Sequence, residues 1–227
     1  EYILPGKRET LRSVNTQTAD TNAQSVAVED AAANSAQPIS LPNVVNHASW
    51  TQLGGSATHQ VQHPALASAP QLIWSADIGQ GNGRKHRITA EPVVAGEIVY
   101  TVDARATVTA TTVDGQHVWT RDLTPSRDRA RDASGGAVMV GGGRVYATTG
   151  FGEITSMDAV TGDVVWVQVL DAPVNASATL RGDLVYVVGR DSTAWALDIN
   201  DGRIRWQLSG TPSTANFGGG ASPAVAG

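Results

Sequence analysis

The chain has 227 residues, with 16 basic and 21 acidic side chains and a formal net charge of −5. That length suits one all-β domain, and the acidic balance excludes the broad basic face of a nucleic-acid binder. Cysteine is absent, which excludes disulfides and thiolate metal sites, and no run of about 18 apolar residues offers a membrane-spanning helix.

In chain order, residues 1–46 read as a polar flexible tether. From Thr10 to Gln37 the sequence is rich in Ala, Ser, Thr, Asn and Gln and contains no aromatic residue. Such a stretch buries too little apolar surface to offset its ordering entropy. An Ala-rich helix over Val26–Ala36 is the alternative. Residues 47–87 read as a lead-in. Within it His59 and His63 have the spacing of helical metal ligands, but Pro64 follows directly and no acidic residue lies near, so the stretch reads as a linker. Leu72-Ile73-Trp74-Ser75 has the pattern of an outermost strand. Two short basic clusters stand out, Arg84-Lys85-His86-Arg87 and the set Arg127, Arg129 and Arg131. The second alternates with Asp128 and Asp132 and reads as self-neutralising.

From Ile88 onward the sequence repeats itself. Gly115-Gln-His-Val-Trp119, Gly162-Asp-Val-Val-Trp166 and Gly202-Arg-Ile-Arg-Trp206 share one spacing. Upstream, Tyr100, Tyr146 and Tyr186 stand 15, 16 and 16 residues before those glycines. Gly96, Gly143 and Gly182 precede each tyrosine. The tryptophan steps are 47 and 40 residues, the length of one propeller blade. The fold expected is all-β, a β-propeller with four-stranded blades. In the second copy the strands fall at Ala137–Val140, Arg144–Thr149, Glu153–Asp158 and Val164–Val169. Asp114-Gly115 and Asp201-Gly202 mark hairpins that need positive φ. Trp74 stands 45 residues before Trp119, which makes its strand the closing strand of the last blade. Ala221–Gly227 matches Ala90–Gly96, which makes it the first strand of a fourth blade. Residues 88–227 thus read as blades one to three and the start of blade four, about half of a ring that is eight-bladed when complete.

The three tryptophans, Trp119, Trp166 and Trp206, are expected to be structural, docking one blade on the next. Each buries roughly 150–250 Å² as a large flat ring. Asp158 and Asp198 precede the turn glycines by four residues and are expected to accept backbone N–H groups of the turn. By that spacing the first copy has Thr111 in the same place. No nucleophile elbow and no zinc-binding helix motif occurs, so no catalytic residue, cofactor-binding residue or metal ligand is assigned.

Met157–Trp166 and Ala196–Trp206 resemble the tryptophan-docking repeat of quinoprotein propellers. That resemblance covers residues 72–227. It implies one of two functions: a pyrroloquinoline-quinone dehydrogenase, or a BamB-type lipoprotein of the machinery that assembles outer-membrane β-barrels. Ile3-Leu4-Pro5-Gly6-Lys7-Arg8-Glu9, the polar tether and Asn46-His47-Ala48-Ser49-Trp50 resemble the BamB type. The resemblance then implies a non-enzymatic scaffold without cofactor, at the periplasmic face of the bacterial outer membrane. It also implies a lipid anchor upstream of Glu1 as the membrane attachment, and the periplasmic domains of the barrel-assembly protein as partner. In that family the segment entering blade four carries an apolar-Arg-Gly contact pattern. Asn216, Phe217 and Gly218 fall there, with Gly218 in place of the Arg. Phe217 is one of two phenylalanines and reads either as a partner anchor or as a cap on the blade interior.

Overall fold

Among the described residues twelve short strands alternate with turns in which positive φ falls mostly on glycine, with Ala106 and Ser192 as exceptions at φ of +65° and +66°. The computed structural model describes residues 38–211 and 221–226. Most of the expected tether, the Val26–Ala36 stretch and the candidate contact residues Asn216, Phe217 and Gly218 lie outside the described residues. Pro42–Gly227 forms one compact unit, and residues 38–41 before it carry no regular element.

The first blade comprises β1 (Val93–Ala95), β2 (Ile98–Val102), β3 (Thr107–Thr112) and β4 (His117–Asp122). The second comprises β5 (Gly136–Gly141), β6 (Arg144–Thr149), β7 (Glu153–Asp158) and β8 (Val164–Val169). The third comprises β9 (Thr179–Arg181), β10 (Leu184–Val188), β11 (Thr193–Asp198) and β12 (Ile204–Ser209). Each is a four-stranded sheet with strands paired in sequence order, antiparallel throughout. Short β-branched runs joined by tight turns leave the chain no other partner than the strand just made. The architecture is an all-β propeller. Three of the four strands expected in the second copy coincide with β6, β7 and β8, and the fourth lies inside β5.

Blade two shows how the repeats stack. Val138, Val140, Val145, Ala147 and Met157 join blade-one residues Val93, Tyr100, Val102 and Val108 in one buried cluster. Met139, Tyr146, Ile154 and Trp166 join blade-three residues Val185, Val187, Trp195 and Leu197 in another. Successive strand residues point to opposite faces, so a blade held between two others is buried on both. Strand β5 accordingly reads as an unbroken apolar run. Strand β12 has no such neighbour among the described residues and is exposed along its whole length.

Register corrects one sequence alignment. Arg144 pairs with Asp158 and Leu184 with Asp198, while Ile98 pairs with Thr112. Thr112 is therefore the counterpart of the two aspartates, not Thr111, and the first copy's turn is one residue shorter. The chemistry agrees. Asp158 Oδ1 accepts the N–H groups of Val160 and Thr161 at 2.8 and 2.9 Å. Asp198 Oδ1 accepts that of Asn200 at 2.8 Å, and Thr112 Oγ1 that of Gln116 at 3.0 Å.

These contacts set a pH dependence. Hydrogen bonds from Thr161 and then Val160 hold the Asp158 carboxyl below the usual carboxylate range. The Arg205 guanidinium, then the Asn200 N–H, does the same for Asp198. A carboxyl whose pKa is lowered by folding stabilises the fold above its unfolded value of about 4, and that stabilisation is lost as pH falls through the folded value. Between about pH 5 and pH 3 the melting temperature should fall less in the Asp158→Asn/Asp198→Asn variant than in the parent chain. Parallel pH profiles would show that the turn contacts do not carry the effect.

Two expected strands differ. Leu72–Ser75 and Ala221–Ala226 carry no ladder. A strand exists only where a neighbour completes its hydrogen bonds, and no sister strand stands beside either among the described residues. Trp74 nevertheless takes up the docking position that its spacing assigns.

Candidate functional site

Two arrangements repeat from blade to blade, one at the outer edge and one at the inner edge. At the outer edge a bulge in each pairing with the last strand, between Ala110 and Thr111, Ser156 and Met157, and Ala196 and Leu197, precedes the tryptophan. A bulge bends its strand and re-aims a side chain. Trp119 Nε1 then donates to the Ala159 carbonyl of blade two at 3.1 Å. Trp166 Nε1 donates to the Ile199 carbonyl of blade three at 3.1 Å. Trp74 Nε1 donates to the Val113 carbonyl of blade one at 2.7 Å. The three acceptors are equivalent, each following the residue that caps its turn.

Each ring lies flat on a turn glycine. A Cβ at Gly115 would stand 2.9 Å from Trp74 Cδ2. At Gly162 it would stand 2.6 Å from Trp119, and at Gly202 2.5 Å from Trp166. The glycines have φ of +83°, +73° and +74°, a conformation that side chains resist. The expected hairpins thus need positive φ at the glycine alone. Tyr100, Tyr146 and Tyr186 pack on Trp119, Trp166 and Trp206 with ring centroids 5.9, 5.8 and 6.1 Å apart. Burial, then the nearby Asp158, raises the Tyr100 phenol above its ordinary value, and its hydroxyl donates to the same Ala159 carbonyl at 3.1 Å.

Trp119 and Trp166 are each 8% exposed, but Trp206 is 43% exposed. The expectation that all three are buried against a neighbour therefore fails at Trp206. Its own sheet covers one side of the ring through Tyr186. The other side needs a turn glycine of a further blade, and the described residues contain none there.

At the inner edge the structure contains something that the repeats do not announce. The lead-in from Trp50 to His59 runs across the innermost strands. Val94 N–H donates to the Trp50 carbonyl at 2.7 Å, Val140 N–H to Thr51 at 2.8 Å, and Val225 N–H to Ala57 at 2.8 Å. Leu180 N–H donates to Gln52 Oε1 at 2.9 Å, and Gln52 Nε2 returns a bond to the Leu180 carbonyl at 3.4 Å. Val94, Val140 and Leu180 hold one repeat position in three successive blades, each two residues before a hairpin glycine, and Val225 holds the same position in the sequence repeat. One polar segment thus satisfies three equivalent edge-strand N–H groups, together with that of Val225, that would otherwise be unpaired. Gly54 and Gly55 turn the segment with φ of +66° and +76°, and Trp50 packs on Gly55. His59 Nε2 meets Thr179 Oγ1 at 3.1 Å, whereas His63 Nδ1 donates to the Pro42 carbonyl at 2.8 Å; the two histidines share no ligand. The readable signal was Trp50 followed by Gly54-Gly55 in an otherwise polar stretch.

Gln52 is 8% exposed and its amide imitates a peptide group. Gln52→Ala leaves the Leu180 N–H and C=O without partners, so it should cost about 1–3 kcal/mol. Urea unfolding of Gln52→Ala beside Gln60→Ala, an exposed neighbour, measures it. Equal midpoints for the two would remove the axial segment from the energetics.

Beside this segment a cavity of about 180 Å³ opens at the axis. Glu91, Ala137, Ser177 and Ser222 line it, again one repeat position from four copies, with Leu53 of the axial segment among them. Glu91 is the one ionisable residue in its lining. Pyrroloquinoline quinone carries three carboxylates, and a buried carboxylate needs a cation or several donors to hold it. This lining has polar donors in Thr89, Asn175, Ser177 and Ser222 but no cation, and its one charged residue, Glu91, would repel a carboxylate, so it does not fit a group with three of them. Among the described residues no cluster of His, Cys, Asp or Glu could hold a metal ion.

The repeated blade, the tryptophan docked on the next blade's turn and the glycine beneath it define the class: a quinoprotein-like repeat propeller. The family model described as outer membrane protein assembly factor BamB matches residues 104–227, and the chain belongs to that family. It is 30% identical over 165 residues to the outer membrane protein assembly factor BamB of Moranella endobia, covering 69% of this chain and 42% of that protein. It is 26% identical to the Yersinia pestis BamB, covering 70% of this chain and 41% of that protein. The chain spans about two fifths of the length of these curated relatives. The quinohemoprotein alcohol dehydrogenase of Comamonas testosteroni has the same fold, with a TM-score of 0.58 at 22% identity over 71% of this chain and 27% of that one.

Proposed function

We propose that this protein acts as a non-enzymatic scaffold in outer-membrane β-barrel assembly, held at the periplasmic face of the outer membrane. Its partner in this reading is the periplasmic part of the barrel-assembly protein. Residues 1–46 serve as the tether from a lipid anchor upstream of Glu1, and residues 47–87 lead into the blades. The observation that carries the reading is the family match over residues 104–227, a stretch that includes both fully docked tryptophans. The cavity beside the axial segment favours it over the dehydrogenase alternative, because its one ionisable residue, Glu91, has the same charge sign as pyrroloquinoline quinone.

The test uses the contact proposed from sequence. In the full-length protein Phe217→Ala should weaken binding to the barrel-assembly protein by at least about 1 kcal/mol while leaving the melting temperature nearly unchanged. Unaltered binding with a large loss of stability would assign Phe217 to the blade interior and move the partner surface elsewhere. Turnover of alcohols by the full-length protein with pyrroloquinoline quinone and calcium would overturn the scaffold reading itself.

A further inference from the structure

The two basic clusters, 40 residues apart in the sequence, form one surface. Arg84–Arg87 lies in the loop that leads into β1, and Arg127–Arg131 in the loop that joins β4 to β5. His86 Nε2 donates to the Arg131 carbonyl at 3.1 Å. Arg87 N–H donates to Ser134 Oγ at 2.8 Å, and Thr89 Oγ1 to the Gly136 carbonyl at 2.9 Å. These bonds fix one loop on the other. Arg84, Lys85, Arg87, Arg127, Arg129 and Arg131 are all exposed.

The second cluster does not neutralise itself, as its alternation implied. Arg127 takes both carboxylates within reach, Asp128 at 3.3 Å and Glu153 at 2.9 Å. Asp132 Oδ2 accepts the backbone N–H of Arg129 at 3.0 Å, not a guanidinium. Among the described residues no carboxylate forms an ion pair with Arg84, Lys85, Arg87, Arg129 or Arg131. Five unpaired cations thus share one patch on a chain whose net charge is −5. Like charges gathered at a surface repel one another and raise the local potential, so the patch is held at a cost that an anionic partner would offset.

We infer that this patch, Arg84, Lys85 and Arg87 with Arg129 and Arg131, docks an acidic segment of a partner protein. Guanidinium groups supply four of the five cations, and their planar forks match carboxylates in pairs. No large exposed hydrophobic lies in 81–89 or 124–135, so the surface has nothing to insert into a bilayer. Asp128 stands between Arg127 and Arg129 and Asp132 directly follows Arg131, where a dense phosphate surface would meet repulsion and a protein can offer donors beside its carboxylates. The inference stands independently of the assembly-factor reading.

The test uses the full-length protein and a labelled oligoglutamate peptide as probe. Arg84→Glu/Arg131→Glu should weaken peptide binding about tenfold at low salt, and raising salt from about 50 to 250 mM should weaken the parent's binding in the same sense. The control Arg121→Glu/Arg203→Glu makes the same charge change at the exposed Arg203 and at the half-buried Arg121, which pairs with Asp163, and should leave binding within about twofold, since surface charges act mainly on near neighbours. Equal losses in both variants would reduce the effect to net charge and overturn the proposal. Tighter binding to phosphatidylglycerol vesicles than to the peptide would overturn it in favour of a membrane surface. An unchanged melting curve for Arg84→Glu/Arg131→Glu, expected from the exposure of both arginines, separates binding from folding.

Discussion

Trp166→Ala should destabilise the chain by about 3–5 kcal/mol, the range for a large aromatic truncated in a packed interior. The ring is 8% exposed, rests on Gly202 and donates to the Ile199 carbonyl. Truncation therefore removes packing between two blades and frees an acceptor that Arg144 Nη1 alone would hold, at 2.7 Å. Trp206→Ala in the same chain should cost about 1 kcal/mol, because less area is lost from a ring that is already 43% exposed. Urea unfolding of both variants gives the comparison. Equal losses would mean that the tryptophan stabilises its own sheet and not the contact between blades.

Gly202→Ala should cost about 2–3 kcal/mol. About 1–2 of this is the left-handed backbone at φ +74°, and the rest is a Cβ driven into the Trp166 ring at 2.5 Å. The two parts separate in a double-mutant cycle. In a Trp166→Ala background the second part vanishes, and Gly202→Ala should cost only the backbone share of about 1–2 kcal/mol. Strict additivity would show that the ring does not rest on the glycine. The same logic applies to Gly162 under Trp119.

The blade was legible because its determinants are local and repeated. Gly162, Trp166 and Tyr146 recur at fixed spacing, and each strand pairs with the one just made. The burial of a docking tryptophan is not local. Trp206 has the same sequence surroundings as Trp166, yet its ring is exposed, because the covering turn belongs to another blade. Thr112 was misplaced by one residue because glycine spacing was counted where only register shows the shortened turn. The axial segment has no repeat to announce it: Trp50, Thr51, Gln52 and Ala57 are unlike one another and act mainly through backbone atoms. The basic patch was visible as two clusters, and only the packing of two loops joins them.

The segment across the inner strands changes how this chain must come together in time. In an array of repeats each unit touches only its neighbours, so folding can start anywhere and spread, and an end can fray without disturbing the rest. Gln52 breaks that rule by pairing with Leu180, 128 residues away. Contacts so distant slow folding, because a long loop must close before they form. During synthesis Trp50–Ala57 is made before any blade, and its partners at β1, β5 and β9 arrive one at a time. Blade three cannot fray alone either, since lifting β9 from the axis strips Gln52 and His59 of their partners. Amide exchange at Leu180 should therefore be as slow as exchange at Val94, despite its place in the outermost described blade.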